Sequence, residues 1–212
     1  MIPIMLIDDH PLVINGIGAW LIGTGRFNIC ATAGNITEAV SLIEGMNKLP
    51  EIIILDISLG EEDGLDFIPK LKEICKNKNA NGSSETFLLN ILVCSMYEDP
   101  FLIQQAFDMG AKAFISKSAK SSEIITAIDA LLKGGTYINP KYKLDNMNQA
   151  WSLLSRRENE IVTLIKRNLN NRQIAKRLCL SLRTVENHIS RIYFKTGTKS
   201  REELINFKCG MV

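Results

Sequence analysis

The stretch IMLIDDHPLV, residues 4–13, sets two carboxylates, Asp8 and Asp9, at the end of a short apolar run. Side by side, two such anions repel one another, and a nearby cation relieves that repulsion. Three residues of matching chemistry end similar runs: Asp56 in EIIILDI, Ser95 in NILVCS and Lys117 after KAFIS. Three carboxylates gathered with positions left open suit Mg²⁺, a hard cation that keeps waters and takes few carboxylates. A carboxylate neutralised by such an ion can act as a nucleophile and carry a phosphoryl group. A lysine ammonium can neutralise phosphoryl oxygens, and a serine hydroxyl can donate a hydrogen bond to one. A lone Asp in such a place is more often a turn former or helix cap; the combination is what points to chemistry.

These residues work together only if their runs are strands of one sheet. The first part of the chain alternates strand-like and helix-like segments: IMLI, FNICATA, EIIILDI, NILVCS and KAFIS, each followed by a helical pattern. Asn35 and Glu38 form a capping-box pattern before the second helix. A helix is expected from about Asp66 to Cys75, and another from Ser121 or Ser122 through Leu132. EIIILDI is apolar throughout, as a strand covered on both faces requires. Five such units predict a doubly wound, five-stranded parallel α/β sheet, whose ligands gather at the carboxyl ends of the strands. KNKNANGSSE, residues 76–85, reads as a long exposed loop. GGTYINPKYKLDNMNQ, residues 134–149, reads as an interdomain linker. The expected division is 1–133, a linker 134–150, and 151–212.

Charge follows the same division. The whole chain carries +2. Residues 151–212 hold 13 Lys and Arg against 5 Asp and Glu, which leaves the first 150 residues net acidic. A compact basic module favours a polyanion such as nucleic acid. Five cysteines without a C-x-x-C pair indicate neither a disulfide framework nor a zinc site, which fits a reducing cytosol. No apolar run approaches membrane-spanning length, and the apolar start is broken at Asp8, too early for a signal peptide. The sequence holds no nucleophile elbow and only two histidines, His10 and His188, which argues against a hydrolase or phosphatase.

The basic module reads as short helices. In NNRQIAKRLCLSLRTVENHISRIYFK a first helix carries Ile174, Ala175 and Leu178, a turn covers Cys179 and Leu180, and Ser181 caps the next helix. There Leu182, Val185, Ile189 and Ile192 form an apolar stripe. The opposite face carries Arg183, Asn187, Ser190 and Arg191, flanked by Thr184 and Glu186. Amides and guanidinium groups suit base edges, while hydroxyls and cations suit phosphates. Asn187 is the first candidate base reader, then Glu186, Ser190 and Arg191. Arg172, Lys176, Arg183, Thr184, Lys195 and Lys199 are candidate phosphate contacts. His188 is either a phosphate donor or a satisfied interface histidine.

The motifs DDH, LDISL, CSMYED and GAKAFISKSA resemble the receiver domain of two-component response regulators. LSRRENEIVTLI, NNRQIAKRLCLSLRTVENHISRIY and KSREELI resemble the LuxR-type DNA-binding domain. Together they resemble the NarL/FixJ group, over nearly the whole chain. The resemblance implies Asp56 as phosphoacceptor. It implies Asp8, Asp9, Asp56 and the backbone carbonyl of Ser58 as Mg²⁺ ligands. Lys117 would pair with the phosphoryl group, Ser95 would be the switch hydroxyl and Phe114 the switch aromatic. A cytoplasmic transcriptional regulator is then expected, phosphorylated by a histidine kinase and binding promoter DNA as a homodimer, without turnover catalysis. The alternative is a LuxR-type regulator controlled by a small ligand or by protein contacts. Five positions depart from the family pattern: Gly60 replaces a usual Pro, Asn168 a common Gly, Thr196 and Thr198 usual apolar residues, and Phe194 a usual basic residue.

Overall fold

The computed structural model describes residues 1–60, 62–80, 89–98, 100–142 and 154–207. The chain divides into two compact units; the first spans Met1–Glu98 and Ile103–Pro140, and the second takes in Lys141–Val212.

The first unit is built on a parallel sheet of strands β1 (Ile2–Ile7), β2 (Phe27–Ala33), β3 (Ile52–Asp56), β6 (Asn90–Ser95), β7 (Ala113–Ser116) and β8 (Tyr137–Ile138). Their order across the sheet is β2-β1-β3-β6-β7-β8. Between β3 and β6, a two-residue strand β4 (Ser58–Leu59) pairs antiparallel with β5 (Glu62–Asp63). Five helices complete the unit: α1 (Pro11–Gly23), α2 (Ile36–Gly45), α3 (Gly64–Ala80), α4 (Pro100–Met109) and α5 (Ser121–Leu132). Burial follows position in the sheet. The central strands β3 and β6 are buried at every residue, whereas the edge strand β2 is buried only at its two ends and alternates exposed with half-buried positions between them. A strand covered on both faces has no position where a polar side chain stays wet. The core joins Ile4, Leu6, Ile52, Ile54, Leu92 and Ile115 to Leu21 of α1 and Ile128 and Leu131 of α5. The strand order reverses between β1 and β3, so the carboxyl ends of these neighbours form the rim where an α/β sheet takes its ligand.

Three expectations need correction. The sheet has a sixth strand: β8 pairs parallel with β7, Ala113 opposite Tyr137 and Phe114 opposite Ile138. The segment from Gly134 therefore begins as part of the first unit, not as linker; residues 143–149 lie outside the described residues. The helix expected to end at Cys75 runs from Gly64 to Ala80. Residues 76–80 are its last turn, and 81–85 of the expected loop lie outside the described residues.

The second unit packs α6 (Arg156–Lys166), α7 (Asn171–Arg177), α8 (Leu182–Thr196) and α9 (Arg201–Asn206) around Ile161, Ile165, Ile174, Val185, Ile192 and Leu204. Its helix ends are written in the sequence. Ser155 and Asn170 form capping boxes with Glu158 and Gln173, and Ser181 and Ser200 accept from Thr184 N and Glu203 N. Asn168 takes φ 60°, the left-handed conformation that a family glycine would supply without strain. Thr196 and Thr198 leave no orphaned hydroxyl. Thr196 Oγ1 donates to Ile192 O at 2.7 Å and lies 2.9 Å from Thr198 Oγ1.

One buried carboxylate ties this unit together. Glu158 Oε2 accepts from Ser155 N at 2.7 Å and from Lys195 Nζ of α8 at 2.7 Å. Burial pushes the Glu158 carboxyl up, but Lys195 and Ser155 outweigh it, and the net displacement is downward. A depressed folded pKa gives stability that is present above the unfolded value and lost as pH falls through the folded one. Glu158→Gln is therefore expected to cost about 1–2 kcal/mol near neutral pH, discounted because Lys195 reaches water. In acid-titrated thermal melts the gap to wild type should close below the ordinary glutamate range; a gap constant with pH would mean that Glu158 acts only by shape.

Candidate functional site

The rim at the end of β1 and β3 gathers the expected charges. Asp8 follows β1 and is buried; Asp56 ends β3 and is only 2% exposed. Lys117, one residue past β7, places its ammonium 2.6 Å from Asp8 Oδ2 and 2.7 Å from Asp56 Oδ2. Its side chain is nearly all buried, so the charge arrives on the rim dehydrated and paired. For Lys117, burial pulls the pKa down, yet the two carboxylates hold it above the ordinary lysine value. For Asp56, burial pushes the pKa up; Lys117 and the Ser58 backbone pull it down but do not cancel the rise.

One ammonium therefore serves two buried acids. Asp56 Oδ1 is buried without a hydrogen bond of ordinary geometry. Oxygen atoms of Asp8, Asp9 and Asp56, with a ring nitrogen of His10, all lie within 4.8 Å of one another. An orphaned carboxylate oxygen beside two further acids fits a hard divalent cation, so the residues present suit Mg²⁺.

Ser95 ends β6, fully buried, one residue past the Cys94 that lies opposite Asp56 in the ladder. Its Oγ accepts from Tyr97 N at 3.1 Å, which leaves its own O–H to donate. Phe114 is fully buried within β7. Ser58 lies in β4, paired with Asp63.

The loop after β3 shows what single-residue reading missed. Gly60 takes φ +61° and donates its N–H to Asp9 Oδ2 at 2.9 Å. A proline there could do neither, since its ring fixes φ near about −65° and it has no N–H. The replacement of Pro by Gly thus gives Asp9 a backbone donor. Glu62 Oε2 accepts from Ile36 N at 3.0 Å, so the hairpin also caps the start of α2. His10, within the quoted DDH, joins the cluster with Nδ1 2.6 Å from Asp9 Oδ1. The signal for His10 was adjacency; nothing local signalled Glu62, whose partner is 26 residues away.

In the second unit, α7, the turn at Cys179 (φ 52°) and α8 form a helix-turn-helix. Val185, Ile189 and Ile192 face the core; Arg183, Glu186, Asn187, Ser190 and Arg191 are exposed on the other side. Ser190 Oγ donates to Glu186 O at 3.1 Å. Thr184 is half-buried, with its hydroxyl 2.7 Å from Ser181 Oγ at the helix start. Arg172 and Lys176 are exposed on α7, and Lys199 between α8 and α9. His188 is half-buried, its Nδ1 buried without a hydrogen-bond partner. Lys195 differs from the expectation: its ammonium is engaged by Glu158 inside the unit, because the helix turns it toward the capping box of α6.

Comparison with known proteins agrees with this geometry. Residues 4–129 match the response regulator receiver domain family, and residues 152–207 the bacterial regulatory proteins of the luxR family. Oxygen regulatory protein NreC of Staphylococcus aureus is 31% identical over 219 residues, spanning 96% of this chain and 95% of that protein. RcsB from Salmonella enterica serovar Typhimurium, solved bound to promoter rprA in the presence of the phosphomimetic BeF3-, superposes with a TM-score of 0.70. At 20% identity over 99% of both chains, that likeness is one of fold. A two-component response regulator of the LuxR family from Aurantimonas sp. SI85-9A1 superposes with a TM-score of 0.57 at 25% identity, over 69% of this chain and 96% of that one.

Proposed function

The chain belongs to the two-component response regulators of the NarL/FixJ group, a receiver domain joined to a LuxR-type helix-turn-helix domain, and we propose that Asp56 is the phosphoacceptor through which it is switched. It is a phosphorylation-controlled transcriptional regulator whose partners are a histidine kinase and promoter DNA. The observation that carries the assignment of Asp56 is its asymmetry. One oxygen is held by Lys117, and the other is buried and free of an ordinary hydrogen bond.

Asp8, Asp9, Asp56 and the Ser58 carbonyl would hold Mg²⁺, which when bound supplies charge neutralisation for the incoming phosphoryl group. Asp56 forms the new O–P bond as the P–N bond to the kinase histidine breaks. The Lys117 ammonium, already between Asp8 and Asp56, shifts to a phosphoryl oxygen. Ser95 donates its O–H to another, and Phe114 packs into the space that Ser95 leaves. The new bonds need supply only a modest bias: moving a two-state equilibrium from 1:99 to 99:1 takes about 5.5 kcal/mol. The second domain then binds paired half-sites as a homodimer. We place the protein in the cytoplasm, where the transcription it controls occurs and where Cys30, Cys75, Cys94 and Cys179 stay free thiols. It performs no turnover catalysis on a separate substrate.

The test is DNA affinity and oligomeric state of the full chain with and without beryllofluoride plus Mg²⁺, using a randomised duplex pool as probe. Tighter binding and dimer formation with the mimic are expected; unchanged behaviour would leave the receiver without control of the second domain. On the DNA side, Arg183→Ala should flatten the plot of log affinity against log salt by about one phosphate contact. Asn187→Ala should relax sequence preference while leaving that slope alone. Equal discrimination by the Asn187 variant and wild type would remove Asn187 as a base reader.

A further inference from the structure

Phe194 is 90% exposed, more than any other large apolar side chain described. It lies near the end of α8, where three turns of regular helix fix its bearing. At about 100° per residue, it falls within about 20° of both Arg183 and Asn187, and about 140–180° from the core residues Val185, Ile189 and Ile192. It therefore continues the outward stripe proposed to read DNA, with exposed Ser190 and Arg191 beside it. A basic residue at this position would take a phosphate. A phenyl ring cannot; its complement on a duplex is apolar, and in the major groove that means the C5-methyl of thymine.

We infer that Phe194 is a specificity-determining residue that packs on a thymine methyl in the major groove, a role that rests on the DNA-binding reading of α8. The helix rise sets the register. Seven residues separate Asn187 from Phe194, about 10 Å along the axis. Side chains three or four residues apart on a helix lying in the major groove meet successive bases, so the thymine lies about two base pairs from the base that Asn187 reads. Two neighbours sharpen the assignment. Lys195 is drawn away to Glu158, so it does not compete for this face. Tyr193 is half-buried and packs against the core of the unit, so Phe194 is the aromatic ring left free on the outward stripe.

The test uses the full chain and a randomised duplex library. Wild type is expected to enrich sites with a fixed thymine in each half-site, and Phe194→Ala to lose preference at that position alone. On a selected duplex, replacing that thymine by deoxyuridine removes only the methyl. The replacement should weaken wild type about fourfold per half-site and leave Phe194→Ala unaffected, while Phe194→Leu keeps part of the sensitivity. Because the side chain is exposed, circular dichroism and melting of the variants should match wild type. The inference is overturned if wild type ignores every thymine-to-deoxyuridine change, or if Phe194→Ala selects the same sites. It is equally overturned if the variant's defect is lost self-association without DNA, measured by sedimentation, which would make Phe194 a contact between copies of the chain. Failure of wild type to enrich any sequence would instead overturn the DNA-binding reading itself.

Discussion

Asp56→Asn is expected to reduce Mg²⁺-dependent phosphoryl labelling by at least about a hundredfold, because an amide is no nucleophile toward phosphorus at neutral pH. The fold should survive the change. Lys117 keeps Asp8 at 2.6 Å, so its buried ammonium is not stranded. Burial holds the Asp56 pKa up against the pull of Lys117, so the ionised carboxylate is a burden on the folded state in the absence of metal. A neutral amide of the same shape relieves that burden, and the variant should melt no lower than wild type without Mg²⁺. Labelling lost with stability kept isolates the chemistry from the packing. Lys117→Met makes the complementary case. It leaves Asp8 and Asp56 facing each other without a cation, at a cost of about 3 kcal/mol. Undiminished labelling of Asp56→Asn, measured with a radiolabelled phosphodonor, would move the phosphoacceptor elsewhere.

The parts of this site that were legible in the sequence sit at the ends of long apolar runs. Asp8, Asp56, Ser95 and Lys117 each close a strand whose burial is unbroken toward the rim, and in a parallel sheet that fixes where their side chains emerge. The helix caps at Asn35 and Ser181 were legible for a similar reason, since cap and partner lie three residues apart. What could not be read is what loops and distant partners decide. Glu158 and Lys195 meet across 37 residues, and only the packing of α6 on α8 brings them together. The strand β8 is two residues long inside a stretch rich in Gly and Pro. Its place depends on Tyr137 N reaching Lys112 O, not on its own composition. In the sequence Gly60 stands out only as a departure, because the usual Pro is missing. Its left-handed backbone instead donates a hydrogen bond that a proline could not supply. Local pattern thus specified the elements and their ends, while the contacts that tune the acids came from chain crossings.

Gly64 shows how closely the phosphoacceptor depends on a residue with no side chain. It opens α3 directly beneath the rim, and its N–H donates to Ile57 O at 2.7 Å. A Cβ at this position would stand 2.0 Å from the carbonyl oxygen of Asp56 and 3.1 Å from its carbon. Both obstacles are backbone, so no rotamer change relieves the overlap. Either the start of α3 retreats and the bond to Ile57 is lost, or the Asp56 peptide turns and drags its carboxylate off the rim. Gly64→Ala should therefore destabilise the first unit by about 3 kcal/mol, at the upper end of overpacking costs. That lowers its melting temperature by about 10 °C. Labelling of Asp56 should fall as well, even well below the melt, because Lys117 Nζ and Asp56 Oδ2 lose their 2.7 Å register. The two effects separate the routes. A variant that melts early but labels normally when cold has moved the helix; one that melts normally but labels poorly has turned the peptide. A Gly64→Ala variant that melts and labels like wild type would mean that the position of Asp56 does not depend on the missing side chain at Gly64.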